Sequence, residues 1–163
     1  MKLDVGSMDN VQTGFDTLPA LKNVVFEIEA PDDKSKETVE FLEGKIKAIN
    51  FRLKVVEPTP YVTEVNGQNV QKDAQGRVLF MKCNFYVDRD TYLSWKGCTP
   101  QGYDSKDFLR GLKSLGNAIG VDFGTQDVED AYGRKFRANI IQRFDKEDES
   151  KVYNDVNSPK KLA

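Results

Sequence analysis

GRVLFMKCNFYVD, residues 76–88, alternates along its whole length. As a strand over 77–87 it sends Leu79, Met81, Cys83, Phe85 and Val87 to one side, an ordinary core face. Val78, Phe80, Lys82, Asn84 and Tyr86 go to the other side, a mixture of aromatics, a cation and an amide. The first set makes this a half-buried sheet strand. The second set raises the question of what the wet face meets.

Similar patterns flank it. KNVVFEIE (22–29) alternates, with Val24, Phe26 and Ile28 inward. TVEFLEGKIKAINFRLKVVE (38–57) reads as a strand, a Glu43-Gly44 turn and a long strand. The core face of that long strand is Lys47, Ile49, Phe51, Leu53 and Val55, and its outer face holds Asn50, Arg52 and Lys54. A short helix over 35–42, capped by Ser35, is the competing reading. The connection 58–76 carries Asn66-Gly67 and Gln75-Gly76 turn signals with room for a minor hairpin. RKFRANIIQRF (134–144) is a last strand, with Phe136, Ala138, Ile140 and Phe144 inward and Lys135, Arg137, Asn139, Ile141 and Arg143 outward.

One helix stands out. DSKDFLRGLKSLGNAIG (104–120) has Asp104 or Ser105 as cap and Phe108, Leu109, Leu112, Leu115 and Ile119 as an apolar stripe. Gly120 is the natural stop. Residues 88–104 read as irregular, and 125–133 as a loop or helical turn. The predicted fold class is all-β to α+β: an OB-like small β-barrel with one long amphipathic helix at about 104–120, since closure hides sheet edges. A flexible arm (1–17) precedes the OB-like domain (18–144), and a charged tail (145–163) follows it.

Composition narrows the chemistry. The chain has 163 residues, enough to bury roughly 70% of the unfolded surface without disulfide or metal. No apolar run of membrane-spanning length occurs, and MKLDVGSMDN has no apolar signal region, so a cytoplasmic setting is expected. With no histidine and two cysteines, Ser-His and Cys-His nucleophile pairs and the usual structural zinc sites are excluded. The carboxylates Asp88, Asp90, Asp122, Asp127, Glu129 and Asp130 have no spacing that recommends Mg²⁺. The expectation is a protein without catalysis or cofactor.

The net charge is only −2, so a nucleic-acid reading must rest on where the charges lie. Collected from three strands, the outward charges Arg52, Lys54, Lys82, Lys135, Arg137 and Arg143 are all positive, with Phe80 and Tyr86 among them. Cations that track phosphates, with rings that stack bases, are the elements of single-strand binding. A solvated face is the plainer reading, because strands favour aromatics and commonly carry Lys and Arg outward. Tyr92, Trp95, Lys96 and Tyr103 are equally open: stacking groups, or anchors of a loop.

The order FDTLPALKNVVFEIE, INFRLKVVE, FLRGLKSLGNAIG, YGRKFRANIIQRF and a closing YNDV (153–156) resembles phage-encoded single-stranded DNA-binding proteins of OB-fold type. It is also similar to related small phage replication and recombination proteins. The resemblance implies an OB-type barrel, no catalysis and cooperative coating of single-stranded DNA in the host cytoplasm, as a homo-oligomer or filament. Phosphate contacts then fall to Arg52, Lys54, Lys82, Lys135, Arg137 and Arg143, and stacking to Phe80, Tyr86 and Trp95. The acidic run 145–149 stands where replication partners would dock, although the chain closes on SPKKLA and not on an acidic tail. The competing reading is a replisome adaptor or virion component that uses the same face for a protein.

Overall fold

The computed structural model describes residues 1–4, 17–96, 106–148 and 150–162, with the Trp95 and Lys96 side chains outside that description. The fold is built on β3 (Ile46–Val55). One edge of β3 is shared: β2 (Thr38–Phe41) pairs with its first half and β1 (Leu21–Glu29) with its second. The other edge pairs with β6 (Val78–Val87) along its length. β1 then pairs with β7 (Lys135–Phe144), and β7 with β8 (Val152–Lys160), all antiparallel. Between β3 and β6, β4 (Pro60–Val65) and β5 (Gln68–Asp73) form a separate hairpin. Asn66 and Gly67 both have positive φ at its tip, as a two-residue hairpin turn demands.

Strands β6 and β8 stand at opposite ends of the path β6-β3-β1-β7-β8. A flat sheet would hold them about 19 Å apart, at four strand spacings. Instead their Cα atoms come within 8 Å, so the sheet curls on itself. No ladder among the described residues joins β6 to β8, so the expected barrel is not closed by hydrogen bonds.

The inside of the curl holds Phe26, Ile28, Phe51, Leu53, Leu79, Cys83, Phe136, Ala138, Ile140 and Val156. Burial pushes the Cys83 thiol up to about 12, so it stays protonated and inert. Two helices follow β6: α1 (Arg89–Lys96) and α2 (Arg110–Ile119). α2 lies against β6, β7 and β8 and sends Leu115 and Ile119 into the core. No helix among the described residues is long and apolar enough to cross a membrane.

Several expectations are corrected. The long helix over 104–120 is a ten-residue α2 entered through a 3₁₀ turn, Asp107–Leu109. Its proposed caps, Asp104 and Ser105, lie outside the described residues. Its stop is as expected: Gly120 sits at φ 74°, and the N–H groups of Gly120 and Val121 both donate to the Gly116 carbonyl. That closure brings Val121 close to the helix. A Cβ on Gly116 would lie 2.5 Å from the Val121 carbonyl oxygen and 3.3 Å from the Phe123 ring. Gly116→Ala should therefore lower stability by about 1–3 kcal/mol, the usual cost of overpacking, in a urea titration. Gly111→Ala, with open space at its Cβ, is the control.

The 88–104 segment is not irregular throughout, because α1 occupies its first half. The 35–42 helix reduces to the 3₁₀ turn Lys34–Lys36, capped by Asp33 rather than Ser35, and then β2 begins. Phe144 was placed inward but is exposed, because β7 outruns the core. The segment read as a tail from 145 contributes β8. Asn154 on β8 anchors the start of the fold: its side chain accepts from the Leu18 N–H (2.8 Å) and donates to the Leu18 carbonyl (2.9 Å). Most of the 1–17 arm lies outside the described residues.

Candidate nucleic-acid interface

The β3–β6 register builds the outer face. Arg52 stands opposite Phe80, Asn50 opposite Lys82, and Lys54 opposite Val78. Residues opposite one another in an antiparallel ladder share a face. Arg52, Lys54, Phe80 and Lys82 therefore come together as the sequence suggests. Strand β2 adds Phe41, which the sequence reading did not single out: the Lys82 Nζ lies 5.2 Å from its ring centre. Phe41 is 39% exposed and Phe80 48%. No sequence signal marked Phe41, because its place depends on β2 folding back along the first half of β3.

Tyr86 does not join them. After Ala48↔Asn84 the next pair is Lys47↔Tyr86, so Phe85 is an extra residue on β6. The bulge reverses the alternation. Tyr86 lies opposite Lys47, whose Nζ is 5.6 Å from the tyrosine ring centre and 3.9 Å from Glu40. Val87 takes the outer side instead, buried with Ile46 and Tyr92 of α1. Tyr92, edge-on to Phe108, is an anchor and not a stacking group. Trp95 and Tyr103 lie outside the described side chains.

The all-positive face is also corrected. β1 lies between β3 and β7, and its outward residues are acidic. Glu27 stands opposite both Lys54 and Lys135, and Glu29 opposite Arg52. The Arg52 guanidinium lies 2.9 Å from Asp32 and 3.6 Å from Glu29. Arg137 is tied to main-chain carbonyls of Asn23 and Leu162. Arg143, far along β7, pairs with Asp155 at 2.8 Å and lies 5.0 Å from the Tyr153 ring centre. Of the six expected phosphate contacts, Arg52, Arg137 and Arg143 are engaged within the protein. Lys135 and Lys54 flank a carboxylate. Lys82 is the cation set among aromatics.

Beside Phe80 the face dips into a cleft of about 370 Å³ between β3 and the Pro31–Val39 segment. Asn50, Arg52 and Phe80 form its sheet side, and Lys36 and Asp32 stand on the loop side. Its lining includes Asn50, whose side-chain oxygen is buried without a hydrogen-bond partner. The carboxylates considered for Mg²⁺ do not converge: no group of three or more potential ligands exists among the described residues. The acidic run is a structured turn between β7 and β8, in which Asp145 accepts from the Glu147 and Asp148 N–H groups. Compared with protein-family models, curated proteins and solved structures, the chain matches none.

Proposed function

We propose that the chain binds single-stranded DNA without catalysis, in phage-type replication or recombination, on the outer face of β3 and β6. The observation that carries this reading is the pair of half-exposed rings, Phe41 and Phe80, arranged around Lys82. Two large aromatics held outward on a sheet, with a cation between them, provide π-faces and charge within reach of one strand. Lys54 and Lys36 extend the track on either side. Arg52, held by Asp32 and Glu29, acts as a fixed wall.

The strand order supports an OB-type arrangement. With β2 and the β4–β5 hairpin set aside, five strands remain. Around the curl they run first, second, third, fifth, fourth, and α2 falls between the third and fourth. A partly open Greek-key barrel of this kind binds strands on the face of its second and third strands, here β3 and β6. The acidic β7–β8 turn is the proposed contact for replication partners.

The salt dependence tests the placement. About three phosphate contacts on a single strand give a log–log slope near −2. Lys82→Ala should make that slope shallower by about 0.7, whereas Arg143→Ala should leave it unchanged. Equal effects of the two would move the interface off β3 and β6.

A further inference from the structure

We infer that the cleft beside Phe80 is a subsite for one nucleobase, read by the Asn50 amide, and that adenine is the base it fits. The inference rests on the single-strand reading above and adds base selectivity to it. Asn50 occupies the outer face of β3 opposite Lys82, and its backbone N–H is already used, donating to the Glu37 carbonyl at 2.8 Å. Its side chain is different: Oδ1 is sealed from solvent and has no donor. Buried acceptors are almost always paired, so an orphan in the wall of a cleft calls for a ligand.

A half-turn of the amide exchanges its oxygen and nitrogen, so Asn50 can offer the cleft an acceptor and a donor side by side. That pair matches the N6 amino group and N7 of adenine, the bidentate contact asparagine makes with a base. Phe80, across the ladder on β6, supplies a ring for the same base to stack on. Lys36 on the opposite rim is placed for its phosphate. At about 370 Å³ the cleft is at the small end of ligand pockets, suited to one base and not to a run of them.

The test compares short oligo(dT) strands that carry one central dA, dC or dG with the all-dT strand, by fluorescence anisotropy. The dA strand should bind about fivefold tighter or more than the others, the lower end of a bidentate contact. Asn50→Val should bring all four to one affinity without lowering the thermal midpoint, because the amide it removes has no hydrogen bond to lose. Asn50→Asp, which keeps the shape but has no donor for N7, should also lose the preference. Equal binding of all four strands by the wild type overturns the subsite and leaves the single-strand reading standing. A preference for another base overturns it too. Failure of every strand to bind overturns both.

Discussion

Phe136→Ala lowers the unfolding free energy by about 3–5 kcal/mol, the range for truncating a buried phenylalanine. Phe136 is fully buried, and its ring lies 5.8 Å from that of Phe26, nearly parallel. The two are also partners in the β1–β7 ladder, so the cavity would open where two strands are joined. With total stabilities of about 5–15 kcal/mol, the variant should fold but sit near its limit. Urea titration of Phe136→Ala and Phe144→Ala measures the contrast. Phe144 is on the same strand but 58% exposed, and its removal should change stability by no more than about 0.5 kcal/mol. Equal losses would mean that the core is not centred on the β1–β7 contact.

Phe80→Ala weakens single-strand binding by about 1–3 kcal/mol, or roughly 5- to 150-fold, with no loss of fold. The ring is half exposed, so its truncation opens no core cavity. Tyr86→Ala is the informative companion. A simple alternating strand puts Tyr86 beside Phe80, and both variants would then weaken binding alike. The bulge at Phe85 puts Tyr86 on the other face with Lys47, so its removal should leave affinity nearly unchanged. Anisotropy titrations of the two variants side by side decide between these geometries.

The alternation in 22–29, 46–55, 77–87 and 134–144 was legible because period-two burial is local. The Asn66-Gly67 hairpin was legible because its turn needs positive φ. What escaped was non-local. One extra residue at Phe85 shifts the phase of β6 without altering the composition around it. The order of strands decides that β1 lies between β3 and β7, and so brings Glu27, Glu29 and Asp32 onto a face that looked wholly cationic. Strand β8 was hidden because VYNDVNSPK is mostly polar with turn-forming residues, and it is held by the ladder to β7 and by Asn154. The YNDV stretch that carries the family resemblance has structural work at every position. Tyr153 lies over Arg143, Asn154 binds Leu18, Asp155 pairs with Arg143, and Val156 enters the core. Of the nine expected site residues, Arg52, Lys54, Phe80 and Lys82 were gathered, because two neighbouring strands present them in register.

Direct binding of a labelled oligo(dT) of about 30 nucleotides, longer than the roughly 4–16 that one OB unit covers, tests the central claim. It should be followed by anisotropy at low and moderate salt, with unlabelled duplex as competitor. The predicted result is saturable binding that weakens as salt rises and that duplex fails to displace. No binding at low salt would contradict the claim and leave Phe41, Phe80 and Lys82 as a surface for a protein.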